Sequence, residues 1–332
     1  MTSGQAPRAT PVTRAEFERW ARTRTGDPGI ELRETHVSII ALGRERVYKL
    51  KKPVRLPFVD QSTAERRRAI CGREVTLNRR LAPDVYLGVV DVTGDGGEVV
   101  DCAVEMRRMP EDRRLSALVD SGSDVRPCLD ALASLLATFH ARAARGDEID
   151  AAATAPAIGR AWATELAEMG ITESRVGMLA RRFIAGRDEL FAQRIAAGRV
   201  CDGHGDLLAD DVFCLPDGPR ALDCLEFDDH LRFADGLADA AFCAMSLEQL
   251  GRADLAEHFL GCYGGAAGDH WPRSLAHHYV ARRALVRSKV AGLRARAEEA
   301  AQLLALTLDH LERGRVRLVL VGGPPATGKS TL

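Results

Sequence analysis

Aromatic side chains are scarce at 5% of 332 residues, and the eight cysteines include no CxxC pair. No apolar run approaches the roughly 20 residues that a membrane helix needs, so no membrane partner is expected. The formal net charge of -1 gives no basic field for nucleic acid or for an anionic lipid surface. Scattered cysteines without metal or redox spacing suit a reduced, cytoplasmic setting. The opening MTSGQAPRATPVTRAEF lacks the apolar stretch of a signal peptide and reads as a short disordered tail. What remains is ordinary for a soluble globular protein: 46% hydrophobic, 28% charged, and long enough for one large or two modest domains.

The most informative stretch runs from Val200 to Asp229, where carboxylates gather around a hairpin. Val212 to Leu215 and Ala221 to Leu225 read as short strands joined by the turn formers Pro216-Asp217-Gly218-Pro219. Pairing Leu215 near Arg220 places Asp211 near Cys224 and brings Glu226 beside the loop that carries Asp206 and Asp210. Carboxylates that meet at one end repel unless a cation or proton intervenes, which suggests a magnesium site with a nearby base. A solvated acidic loop is the plainer alternative. A zinc reading with Cys201, His204, Cys214 and Cys224 matches no compact zinc module, and alternating hairpin cysteines are more simply core.

His204-Gly205-Asp206-Leu207, then Asp211, then the hairpin and Leu225-Glu226-Phe227 resemble the catalytic segment of the aminoglycoside phosphotransferase family, a branch of the kinase-like fold. The resemblance implies that Asp206, with His204 in the same motif, serves the substrate hydroxyl, and that Asp211 and Glu226 bind metal. Asp211 stands where the family usually has Asn and Glu226 where it has Asp. Both keep an oxygen ligand, but one adds a charge and the other a methylene. Asp228 is a rival ligand to Glu226.

Along the chain, Thr13 to Ala21 predicts a short helix with Thr13 as cap and Glu16 completing a capping box. His36 to Leu42 and Arg46 to Lys51 predict a hairpin with lysines on its second strand. The family resemblance assigns Lys49 to the nucleotide phosphates and Glu74 as its helix partner, with Lys51 a rival on the same face. No G-x-G-x-x-G covers the phosphates here. Ser62 to Leu81 predicts a helix packed through Ile70, Val75, Leu77 and Leu81, with Arg66-Arg67-Arg68 on a solvated face. Short strands follow to Met106, and the small lobe ends near Met109-Pro110. The resemblance places adenine against the backbone of Glu105, Met106 and Arg107.

Val125 to Arg145 and Ile158 to Ala196 carry helical periodicity, and Phe139-His140 reads as an ordinary packed position. Asp235 is a helix cap, and Asp239 is either an exposed first-turn acid or, by the resemblance, a brace for the catalytic loop. Helices are expected at Ala253 to Tyr263 and Leu275 to Ala300. In the latter, Arg283, Arg287 and Lys289 line a basic face open to an anion, a partner domain or solvent.

Arg315 to Val321 reads as a buried strand leading into Gly322-Gly323-Pro324-Pro325-Ala326-Thr327-Gly328-Lys329-Ser330-Thr331, a match to G-x-x-x-x-G-K-[ST]. Such a loop cradles phosphates through its amides, with Gly323, Gly328, Lys329 and Ser330 as the binding residues. The chain ends two residues after Ser330 and reads as cut inside a second, P-loop domain. The expected fold is α+β and bilobal. It comprises residues 1–29 as tail and short helix, 30–109 as an antiparallel-sheet lobe, 110–312 as a helical lobe, and 313–332 as the start of the P-loop domain. ATP and Mg2+ are the expected cofactors, and a small-molecule hydroxyl is the expected acceptor. The other reading is a nucleotide-binding or pseudokinase module that regulates the P-loop domain.

Overall fold

The computed structural model describes residues 11–56 and 59–316. The described chain forms two compact units. The first runs to Ile158 and resumes over Gly186–His270, and the second holds Gly159–Ala185 and the chain from Trp271. The sheet and the His204-Gly205-Asp206 segment belong to the same unit.

The first unit opens on α1 (Arg14–Thr25), where Thr13 and Glu16 form both arms of the capping box. Five antiparallel strands follow in the order β1-β2-β3-β7-β6. They are β1 (Glu31–Glu34), β2 (Ser38–Leu42), β3 (Arg46–Lys51), β6 (Tyr86–Thr93) and β7 (Val99–Arg107). A small ribbon of β4 (Arg55–Leu56) and β5 (Val59–Asp60) precedes α2 (Ala64–Asn78). The β2–β3 hairpin pairs Leu42 with Val47 across the predicted turn.

Alternation along β3 gives the sheet two different faces. Tyr48 and Leu50 pack with Phe17, Trp20 and Ile39 beneath α1, and Trp20 meets the Tyr48 ring edge-on at 5.1 Å. Lys49 and Lys51 lie on the opposite face, toward α2. The buried stripe of α2 is polar in part: Arg67, Cys71, Glu74, Val75 and Asn78. Ile70 and Leu77, expected to pack fully, are only half-buried. Arg67 departs from the expected solvated face, because its guanidinium turns inward to Asp101 at 2.7 Å.

Beyond β7 come α3 (Leu115–Asp120), α4 (Arg126–Arg142), α5 (Asp147–Ala152), α6 (Ala155–Glu168), α7 (Arg175–Ile184) and α8 (Asp188–Ala196). Next are β8 (Val200–Asp202), the hairpin β9 (Val212–Leu215) and β10 (Gly218–Ala221), and β11 (Phe233–Asp235) paired with β8. α9 (Gly236–Gln249) and α10 (Ala253–Ala267) complete the first unit, whereas α7 and most of α6 belong to the second. Asp235 caps α9 through the Leu237 amide and pairs with buried Arg194 at 2.7 Å, which also holds Asp269 at 2.6 Å.

In the second unit the single helix expected from Leu275 to Ala300 is two, α11 (Arg273–Leu293) and α12 (Ala297–Arg313). The break turns on Ala295 at φ 57°, a left-handed position with no glycine to announce it. Arg283 is buried and Lys289 pairs with Glu168 at 2.8 Å, so neither is spare positive charge. His278 is stacked on Phe183 at 4.1 Å and meets the Trp162 indole nitrogen at 3.3 Å.

Cys128 on α4 and Cys214 on β9 form a disulfide, which corrects the expectation of a reduced set of cysteines. The same bond removes Cys214 from the zinc alternative, and Cys201 and Cys224 are buried thiols. Among the described residues no helix is long and apolar enough to cross a membrane.

Candidate active site

The register of β3 sets the two lysines. Lys49 sits opposite Val104 of β7, and its ammonium group lies 2.8 Å from both Glu74 on α2 and Asp223 after β10. Lys51 is wholly buried and lies 2.6 Å from Glu74 and 2.6 Å from Glu226. The two lysines differ in exposure and partners. Lys49 keeps 15% of its side chain exposed and reaches the acidic loop, whereas Lys51 is an internal counter-ion with none exposed.

Glu74 is fully buried between both ammonium groups. Burial alone would raise its pKa, but Lys49 and Lys51 outweigh that and hold it below the usual range. Burial likewise opposes the charge on Lys49, and Asp223 with Glu74 overcomes it, so that lysine stays firmly protonated.

The His204-Gly205-Asp206 segment follows β8. His204 is wholly buried; its Nε2 bonds to the Leu222 carbonyl at 3.0 Å while Nδ1 accepts the Asp206 amide at 3.4 Å. Burial lowers its pKa and favours the neutral ring that this pattern uses. His204 is thus held inside the loop, with both ring nitrogens engaged by the backbone. The following residue must turn with φ +89°, where a side chain on Gly205 would also meet Arg232 at 3.0 Å.

Asp239, in the first turn of α9, is buried and accepts the amides of His204 at 2.7 Å and Gly205 at 2.8 Å. Of its two possible readings, the brace is the one observed. A Cβ on Gly203 would lie 2.8 Å from the same carboxylate, so the backbone must come this close without a side chain. His140 on α4 supports Asp239 through Nε2 at 3.0 Å, and its Nδ1 bonds to the Tyr263 hydroxyl of α10 at 2.8 Å. His140 is thus a positioning residue, although a lone histidine in an apolar helix carried no such signal. Arg80, just past α2, adds bonds to the Asp202 and Gly203 carbonyls.

The β9–β10 turn uses Pro216 and Asp217 alone, so Leu215 pairs with Gly218 and Val212 with Ala221. Relative to the expected register the second strand is shifted by about two residues, and Asp211 faces Leu222, whose amide donates to the Asp211 carbonyl at 2.9 Å. The acid delivered to the lysine is consequently Asp223, which the sequence reading missed. It adopts φ 63°, and its amide bonds to the Tyr86 hydroxyl at 3.1 Å. The next amide, Cys224, donates to Asn78 Oδ1 at 2.8 Å. A non-glycine residue held left-handed by two side chains marks a place where position outweighs backbone ease.

Lys49 beside Asp223 lowers its pKa to about 2. Asp211 goes the other way: burial, then the charges of Asp223, Asp206 and Asp210, push its pKa well above the usual value. Asp206, Asp211 and Asp223 are therefore electrostatically one cluster, with more negative charge at the Asp211 end than nearby cations neutralise. Glu226 is instead engaged with Lys51, and Asp228 accepts the His230 amide at 2.9 Å as a local cap.

At the positions expected to meet adenine the backbone is already paired. Glu105 and Met106 are paired on both sides, by β3 and β6, and the Arg107 and Arg108 amides donate to Val85 and Glu45 at 2.8 Å. The Glu105 carboxylate turns to the back face, where it accepts from the Tyr48 hydroxyl at 3.1 Å. Gly323, Gly328, Lys329 and Ser330 lie outside the described residues.

No family model matches the chain. Uncharacterized proteins of Mycobacterium tuberculosis and Mycobacterium bovis are 44% identical to it over 323 residues, 93% of this chain and 65% of each relative. The chain thus spans just under two thirds of their length. In three dimensions it is similar to the GDP and kanamycin complex of APH(2")-IIia, with TM-score 0.51, 17% identity, and coverage of 91% of this chain and 98% of that one. It is also similar to choline kinase LicA from Streptococcus pneumoniae, with TM-score 0.52, 14% identity, and coverage of 90% and 99%. At these identities the likeness establishes the α+β kinase-like fold.

Proposed function

We propose that this chain, which has the kinase-like fold shared by aminoglycoside phosphotransferases and choline kinases, is a phosphotransferase that moves the γ-phosphoryl group of ATP to a hydroxyl of a small molecule. The observation that carries this reading is the joining of Lys49 to both Glu74 and Asp223, with Asp206 and Asp211 in the same acidic cluster. A lysine held between a helix glutamate and a loop aspartate is the arrangement that phosphoryl transfer uses to steady phosphates.

In the proposed reaction the acceptor oxygen forms a bond to the γ-phosphorus while the bond from that phosphorus to the β–γ bridging oxygen breaks, and ADP departs. Asp206 receives the hydroxyl proton, and Lys49 offsets negative charge on the phosphates. The donor set suits magnesium: hard carboxylate oxygens, one of them with a pKa raised by burial and by the charges of its acidic neighbours. Asp211 and Asp223 would hold the ion, which would supply charge neutralisation at the phosphates. Asp239, His204 and His140 hold the Asp206 loop at its height in the cleft. Adenine would meet the chain beyond the paired strand, at Met109, since the preceding amides are already bonded. The phosphate loop at Gly323, Gly328, Lys329 and Ser330 is proposed as part of a separate P-loop domain.

The test is nucleotide consumption by the purified chain with Mg2+, ATP or GTP, and a panel of amino alcohols, sugars and aminoglycosides. Acceptor-dependent turnover that falls at least about a hundredfold in Asp206→Asn, with nucleotide affinity retained, supports the enzyme. Nucleotide binding without turnover on any acceptor would instead leave the regulatory module.

A further inference from the structure

A second group of chemically distinct side chains meets on the outer surface of the α4–α10 pair. α10 carries His258 and Cys262 four residues apart, hence on one face, and α4 presents Asp130 to them. Asp130 Oδ1 lies 2.7 Å from His258 Nε2 and 3.1 Å from Cys262 Sγ, and Sγ lies 3.7 Å from Nε2. One nitrogen, one oxygen and one sulfur therefore converge from two rigid helices.

We propose that Asp130, His258 and Cys262 form a binding site for a borderline-soft divalent ion of the zinc type. Around a tetrahedral zinc with bonds of about 2.0–2.3 Å, ligand atoms stand about 3.3–3.6 Å apart. The three observed separations bracket that range, so shifts of about half an ångström, within the freedom of partly exposed side chains, would seat the ion. The ligand set also selects the metal. A thiolate and an imidazole disfavour magnesium and calcium, which take oxygen, and favour zinc, cobalt or nickel. Binding releases the thiol proton, and His258 would coordinate through Nε2 as the neutral tautomer with its proton on Nδ1. Asp130 remains 55% exposed and His258 29%, which leaves the fourth position to water.

The site's location gives it a consequence. Cys262 is followed by Tyr263, and Asp130 lies on the helix that carries His140, so the ion would bridge the same two helices whose side chains support Asp239. Its role would be to fix that pair, and the proposal stands whether or not the chain transfers phosphate.

The experiment titrates the full chain with Co2+, whose thiolate charge-transfer and tetrahedral d–d absorption report the ligands, and then displaces it with Zn2+. One equivalent should bind with both bands, Zn2+ should abolish them, and Mg2+ should not. Cys262→Ser should remove the charge-transfer band, and His258→Ala and Asp130→Asn should each weaken binding at least about tenfold. Asp206→Asn should bind Co2+ unchanged, which separates this site from the nucleotide cleft. Circular dichroism checks that each variant is folded. An absent charge-transfer band, or one that survives in folded Cys262→Ser or Cys262→Ala, would overturn the assignment.

Discussion

Replacing Asp239 by Asn changes almost no volume, yet it should disable the loop that carries Asp206. The wild-type Oδ2 accepts the His204 amide at 2.7 Å and His140 Nε2 at 3.0 Å, while Oδ1 accepts the Gly205 amide at 2.8 Å. An Asn oxygen in the Oδ2 position can keep two of these bonds, but its amide group then faces the Gly205 N–H, donor against donor. Asp239 is 2% exposed, so water cannot replace the lost acceptor. Leaving one buried donor unsatisfied costs about 1–3 kcal/mol, and the surviving bonds lose their charge assistance, so the total is about 2–4 kcal/mol. For a unit of this size each kcal/mol lowers Tm by about 2–4 °C, which predicts a fall on the order of 10 °C.

Burial works to raise the Asp239 pKa, but the bond from His140 and its other donors outweigh it, and the folded value lies below the ordinary one. The carboxylate thus stabilises the fold above the unfolded pKa of about 3.9, and that contribution is lost as pH falls through the folded value. The gap between wild type and Asp239→Asn in urea unfolding should therefore be full at pH 7 and shrink in strong acid. Turnover should fall about a hundredfold if the loop moves by about 1 Å. A pH 7 difference below about 0.5 kcal/mol would refute the bracing argument.

Asp211→Asn should raise stability in the absence of metal at neutral pH. A folded pKa above the unfolded one means the ionised group disfavours the fold once pH exceeds about 4, so the gain should vanish below that pH in urea titrations. Asp223→Asn should eliminate magnesium-dependent turnover by at least about a hundredfold; equal rates would move the metal role elsewhere. Gly236→Ala would place a methyl 2.6 Å from the Tyr263 hydroxyl and 2.9 Å from His140 Nδ1. It should cost about 1–3 kcal/mol in thermal unfolding, whereas an unchanged Tm would show that the α4–α10 pair yields freely.

Several elements are visible in the residues because their signals are local. Thr13 and Glu16 announce α1 three residues apart, and alternating Val47, Tyr48, Lys49 and Leu50 set β3 against both faces. The HGD spacing located the loop, but the acid opposite it depended on a turn. Pro216-Asp217-Gly218-Pro219 contains four turn formers, and only the first two lie in the turn, because Gly218 and Pro219 already belong to β10. That difference of two residues sets Leu222, not Cys224, opposite Asp211 and leaves Asp223 to meet Lys49. Features joined by distant residues left no local trace: the disulfide spans 86 positions, and His140, Asp239 and Tyr263 meet only after three helices pack. The break between α11 and α12 lacked a signal of another kind, since Ala295 is a good helix former placed where the chain must turn.

Under the proposed phosphoryl transfer, the Lys49–Asp223 bond would also constrain the order in which ligands enter. Each partner is already satisfied by the other at 2.8 Å, so neither a free cation nor a free phosphate meets an idle charge. A bare metal ion approaching Asp223 must compete with an ammonium group, and a bare nucleotide approaching Lys49 must compete with a carboxylate. The metal–nucleotide complex alone carries replacements for both at once, exchanging one intramolecular contact for two intermolecular ones. In that reaction the resting ion pair would act as an entrance filter. It would favour the preassembled complex over either component and make their binding mutually reinforcing.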